Sequence, residues 1–204
     1  MCMRSFSALV GLLLLATPAS MFAKKRDMTP VPVHVTAPSP AVTDDFIHKQ
    51  FGDDCSLLQG PQQFAADLDA DGVEDLLVVA RCGNPLADQD QYAFKVIDPY
   101  DSFLGFGDVK VTSTFASDEP ERRGLCLLIV HGVGSDAWRA STPKAKFVII
   151  NLPFKTLAVK RYTYKRRPIL GLFIEERGEG ESTSSVIFWD GKHYKYQQIG
   201  ATLE

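Results

Sequence analysis

Beyond its first two dozen residues, the 204-residue chain has no long apolar run. A helix needs about 20 consecutive apolar residues to cross a bilayer, so the mature chain is expected to be soluble and to carry no transmembrane segment. Charge of one sign is also scarce, with 22 Lys and Arg against 25 Asp and Glu and a formal net charge of −3. That balance is too mild for a nucleic-acid partner, which requires a concentrated positive field. The four histidines, His34, His48, His131 and His193, are scattered along the chain, which argues against a histidine metal site. No His-Glu-x-x-His pair, Gly-x-x-x-x-Gly-Lys loop, Gly-x-Gly-x-x-Gly fingerprint or Gly-x-Ser-x-Gly elbow occurs. Zinc-protease, P-loop, dinucleotide and serine-hydrolase chemistry each lose the motif they need.

What is present begins with a targeting signal. Arg4 opens a positive start, Phe6 to Ala16 is apolar, and small residues follow at Thr17, Ala19, Ser20 and Ala23. This is the pattern of a secretory signal peptide, assigned to residues 1–23, with cleavage after Ala19 or Ala23. Cleavage removes one base, Arg4, and moves the formal charge from −3 to −4. The protein is therefore expected outside the cytoplasm, secreted or periplasmic. Residues 24–42 carry Pro30, Pro32, Pro38 and Pro40, which disfavours helix and central strand and reads as a linker. Residues 43–204 are long enough for one domain with its own core.

The mature cysteines are Cys55, Cys82 and Cys126. An oxidising compartment favours one bridge and leaves one thiol over. Cys126 lies in the apolar run Leu125 to Val130, where a free cysteine behaves as a small hydrophobe. Cys55 is therefore paired with Cys82.

The most informative stretch is Asp67-Leu-Asp-Ala-Asp-Gly-Val-Glu-Asp75, followed at once by Leu76 to Val79. Closely spaced carboxylates with a glycine after the third suit a tight loop around a hard cation, and calcium takes six to eight oxygens. The expected ligands are Asp67, Asp69, Asp71, Asp75 and the carbonyl of Val73, with Gly72 making the turn. An EF-hand would place a Glu at the twelfth position, where Val78 stands. Gln63 to Ala66 before the loop and Leu76 to Ala80 after it read as strands. Strand, loop, strand resembles the calcium loops of FG-GAP and VCBS-type repeats of integrin-like propeller blades. The resemblance implies a structural Ca²⁺ held by Asp67, Asp69, Asp71, Val73 and Asp75. It covers about a tenth of the chain, in a single copy without a Phe-Gly/Gly-Ala-Pro signature.

The fold expected is mainly β, an antiparallel meander or propeller-blade-like sheet with one short N-terminal helix, with α+β as the alternative. Thr43 caps a helix whose face is Phe46, Ile47, Gln50 and Phe51 before Gly52. Val109 to Phe115 alternates as a strand, and Leu125 to Val130 is central. Further strands follow at Phe147–Asn151, Thr156–Tyr164, Ile169–Glu175, Ser184–Trp189 and His193–Gln198. Asp190-Gly191 predicts a two-residue hairpin loop with Trp189 facing Lys192 and Ile187 facing Tyr194.

Two other motifs bear on function. His131-Gly-Val-Gly134 after a strand looks like the oxyanion loop of α/β-hydrolases, but without a nucleophile elbow it reads as a glycine turn. Lys160 to Arg167 interleaves bases with Tyr162 and Tyr164 and reads as a solvated hairpin tip; a polysaccharide or lipid surface is its alternative. The functional expectation is an exported, non-enzymatic calcium-binding module that meets a protein or polysaccharide partner. The alternative is a small exported enzyme with a site assembled from distant residues near His131.

Overall fold

A computed structural model describes residues 34–58, 60, 63–105, 108–176 and 181–203. The expected signal peptide lies outside the described residues, as do positions 24–33 of the expected linker and Arg177 to Gly180. The elements in chain order are α1 Asp44–Phe51, β1 Cys55–Leu57, β2 Gln63–Ala66, β3 Asp75–Cys82, α2 Pro85–Tyr92, β4 Lys95–Ile97, α3 Asp101–Leu104, β5 Leu125–His131, β6 Ala145–Ile149, β7 Phe154–Tyr164, β8 Arg167–Glu176, β9 Glu181–Trp189 and β10 Tyr194–Leu203. The architecture is mainly β, with two antiparallel-dominated sheets and a short early helix. Among the described residues no helix is long and apolar enough to cross a membrane.

The first sheet runs β1-β3-β5-β6-β4, with β2 pairing the free half of the β3 edge. Its middle strands, β3 and β5, are buried almost throughout, because both faces of the sheet are covered. Leu76, Val78, Ala80, Cys126, Leu128 and Val130 point to one face, where Ile47 and Phe51 of α1 close the core. Leu77, Val79, Leu127, Ile129, Phe147 and Ile149 point to the other. There they meet Leu170, Leu172, Ile174, Ile187, Tyr194 and Tyr196 of the second sheet. Period-2 alternation thus divides each apolar run between two cores. Each fully buried Leu, Ile or Val stabilises the fold by about 1.5–3 kcal/mol.

The second sheet is the expected meander, β10-β9-β8-β7. Its first hairpin turns through Lys165 and Arg166, both at positive φ, and leaves Lys165, Arg166 and Arg167 exposed. The last hairpin departs from the expected register. Its loop spans Asp190 to His193, so Trp189 pairs with Tyr194 and Ile187 with Tyr196. The cause is the Asp190 side chain, whose Oδ1 accepts the N–H groups of Lys192 (2.9 Å) and His193 (3.0 Å). Those donors are drawn into the turn, and the ladder begins two residues later.

Other segments also differ from expectation. Val109 to Phe115 is not a strand; Asn151 Oδ1 accepts from the backbone N–H and hydroxyl of Thr112, and Asn151 Nδ2 donates to the Lys110 carbonyl. Side-chain bonds of this kind satisfy the backbone without a ladder. The unassigned stretch from Pro85 holds α2, β4 and α3, and β4 pairs with β6 in parallel, so the first sheet is not a pure meander. Thr36, from the expected linker, exchanges backbone hydrogen bonds with Ala65, and Val42 is buried, so the packed region begins before Thr43.

Cys55 and Cys82 face one another across β1 and β3 and form a disulfide. Cys126 is free and buried, its Sγ 3.4 Å from that of Cys82, and burial pushes its thiol well above the ordinary range. Replacing Cys55 by Ser is therefore expected to let Cys126 take Cys82 when the variant is folded in a glutathione redox buffer. Peptide mapping without reduction checks this, and two alkylatable thiols at Cys82 and Cys126 would refute it.

Candidate functional site

The site sits where the acidic loop meets one end of the interface between the two sheets. Asp75 begins β3 and His131 ends β5, each one step beyond the ladder pair Leu76–Val130. By alternation both point to the face shared by Leu77 and Ile129, toward the second sheet. Asp75 is fully buried and His131 only 1% exposed. Both have partners that account for this. Asp75 Oδ2 accepts the N–H groups of Leu68 (2.8 Å) and Asp69 (3.3 Å), and its Oδ1 accepts that of Gly132 (2.8 Å). His131 Nδ1 lies 3.2 Å from Asp69 Oδ2, and its Nε2 lies 2.7 Å from the Tyr194 hydroxyl. The carboxylate and the phenol assign the tautomer, with the proton on Nδ1. Phe147, Trp189 and Tyr194 pack around the imidazole.

The loop folds by its own side chains. Asp67 accepts the N–H groups of Asp71 (3.0 Å) and Gly72 (3.0 Å), Asp69 Oδ1 that of Asp71 (3.2 Å), and Asp71 Oδ1 that of Val73 (2.8 Å). Lys144 reaches in from the turn before β6, its Nζ 2.7 Å from Asp69 Oδ2 and 2.6 Å from Asp71 Oδ2.

The four expected carboxylates fall into two overlapping groups. Ligand atoms of Asp67, Asp69 and Asp71 lie within 4.8 Å of one another, and so do those of Asp69, Asp75 and His131. Asp69 belongs to both groups, and Asp75 turns away from Asp67 and Asp71 into the interior. Val73 is anchored through its N–H to Asp71. The Asp69, Asp75 and His131 cluster can coordinate a divalent metal. His131 corrects the expectation that scattered histidines form no metal cluster. Only the pairing of β3 with β5 brings it to the loop, and that pairing joins strands about 50 residues apart with no local signature.

Burial disfavours charge of either sign on Asp75 and His131. Burial pushes the Asp75 carboxyl up to about 7; the Gly132 N–H opposes this and the Asp69 charge adds to it. Burial also raises Asp67. Burial lowers His131 to about 4 despite the Asp69 charge, so the imidazole is neutral near pH 7. The hydrogen bonds from Lys144 to Asp69 and Asp71 push its ammonium above its ordinary range.

Gly132 does not build an oxyanion hole. Its N–H is spent on Asp75, and a β-carbon at this position would run into the Glu74 carbonyl. A cleft of about 300 Å³ lies beside the site, lined by residues that include Lys95, Asp98, Asp101, His193, Phe147 and Tyr194. Phe147 and Tyr194 therefore touch both the cleft and His131. No protein-family model, curated protein or solved structure matches the chain.

Proposed function

We propose that the protein works through a divalent-cation site assembled around His131 from residues distant in sequence, in the manner of a small exported enzyme. The carrying observation is Asp69, whose carboxylate is shared between the acidic loop and the buried imidazole. From there His131 leads to Tyr194, a wall of the cleft. A bound divalent ion would supply Lewis acidity at the loop. His131 holds Asp69 in place and, being neutral, can pass a proton between that carboxylate and Tyr194. The two donor groups fit different ions. Oxygens alone, from Asp67, Asp69 and Asp71, suit calcium, whereas Asp69, Asp75 and His131 would suit zinc only with the Nδ1 proton displaced, which makes His131 a ligand in place of a relay.

Calorimetric titration with calcium and with zinc tests the proposal in wild type, Asp71→Asn and His131→Gln. An ion lost on His131→Gln supports the centre around His131. An ion lost only on Asp71→Asn assigns the loop by itself, and no binding at millimolar metal refutes both.

The second reading is the calcium-stiffened, non-enzymatic module with a protein or polysaccharide partner. It is supported by the resemblance of Asp67 to Asp75 to FG-GAP and VCBS-type loops and by the near-complete burial of His131 and Asp75. Calcium at a hundred times its dissociation constant would stabilise the fold by about 2.7 kcal/mol. The melting temperature of wild type should rise with calcium against chelator, while an Asp69→Ala, Asp71→Ala double variant should stay unmoved. Equal melting points for wild type in calcium and in chelator would refute this reading.

A further inference from the structure

The ammonium of Lys144 stands where the acidic loop would share a cation. Its Nζ is 2.7 Å from Asp69 Oδ2 and 2.6 Å from Asp71 Oδ2, bridging two carboxylates from outside the loop. The two ends of the contact differ in freedom. The Asp69 side chain is 2% exposed and held from behind by His131, whereas the Lys144 side chain is 45% exposed. Lys144 is fixed at its backbone, where its N–H donates to the His131 carbonyl at 3.0 Å. Its four-carbon stem can therefore swing into water while the main chain stays put.

We propose that Lys144 is a tethered cation that latches the acidic loop and must leave Asp69 and Asp71 before a divalent ion enters. This rests on the cation-site reading above. The charges facing the ammonium are Asp69 and Asp71 directly, with Asp67, Asp75 and the neutral His131 around them. One positive charge against that many carboxylates leaves the loop under-neutralised, so a divalent ion gains more there than the ammonium does. The latch thus sets a threshold. Closed nine times in ten, it weakens the apparent affinity about tenfold, in proportion to the open fraction. Its biological use would be to hold the loop folded where metal is scarce and to admit the ion where metal is plentiful.

The test compares wild type, Lys144→Met and Lys144→Gln, each shown to be folded by its circular dichroism. Affinity for calcium, and in a second series zinc, is measured by calorimetry. Association is followed by stopped-flow tryptophan fluorescence, because Trp189 packs on His131. Both variants should bind about tenfold more tightly than wild type. Because an exposed side chain opens far faster than metal binds, the wild-type association rate should climb with metal at about a tenth of the slope of the variant rates. Equal affinities in all three proteins would overturn the latch and leave the cation site standing. Tighter binding that comes only from slower dissociation, with equal association slopes in all three proteins, would show that the ammonium does not block entry and would likewise overturn the latch. If none of the three binds either metal, the cation site itself fails and the latch falls with it.

Discussion

Asp75→Ala, assayed in chelator so that no metal contributes, is expected to lower the unfolding free energy by about 3–5 kcal/mol. The side chain is fully buried and accepts three backbone N–H groups. Two of these, from Leu68 and Asp69, fix the start of the loop, and the third, from Gly132, ties the end of β5 to the start of β3. Alanine leaves them without an acceptor where water cannot readily replace it, at about 1–3 kcal/mol for each buried donor. In a domain of this size each kcal/mol lowers the melting temperature by about 2–4 °C. Asp75→Asn should cost less, since its amide oxygen can serve either the Leu68 side or Gly132, but its NH₂ cannot serve the other. Urea unfolding of the three proteins checks the order. Alanine and asparagine variants within about 0.5 kcal/mol of wild type would show that Asp75 is not the tie between loop and sheet.

Gly132→Ala is expected to lower the unfolding free energy by about 3 kcal/mol or more. A β-carbon at this position would stand 2.3 Å from the Glu74 carbonyl oxygen, 2.8 Å from the Ala137 carbonyl carbon and 2.9 Å from the Trp138 nitrogen. All three are backbone atoms, so no rotamer change relieves the contact. The strand end or the turn through Trp138 must move, which disturbs the bond from the Trp138 N–H to the Glu74 carbonyl and that from the Gly132 N–H to Asp75. Gly134→Ala is the control, because a β-carbon there meets nothing within 4 Å, although its φ of +62° carries some strain of its own. A Gly132→Ala protein as stable as wild type in thermal unfolding would contradict the close packing of β3 against the 132–138 turn.

The parts of the fold legible in the sequence are those set by short-range chemistry. Thr43 does cap α1, its Oγ1 accepting the Phe46 N–H at 3.4 Å. The apolar runs at Leu76 and Leu125 are strands because they must be buried, and alternation divides their side chains between two cores. The acidic loop was visible because its own aspartates satisfy its own N–H groups within five residues. The structure departs from simple alternation where a side chain competes with the ladder. Asp190 lengthened the last hairpin, and Asn151 held Thr112 away from strand pairing.

The sequence alone therefore determined the existence of the loop, the apolar strands and the early helix, since spacing and burial within a few residues dictate them. The tertiary structure decided which carboxylates act together. Asp75, fourth of the aspartates in the row, leaves its neighbours for the interior because β3 starts there and its face is turned toward the second sheet. His131, distant in sequence, joins Asp69 because antiparallel pairing places the end of β5 beside the start of β3. Lys144 reaches the loop because its backbone is bonded to the His131 carbonyl. Contacts of this kind depend on how sheets pair and pack, and no periodicity along one strand encodes its partner.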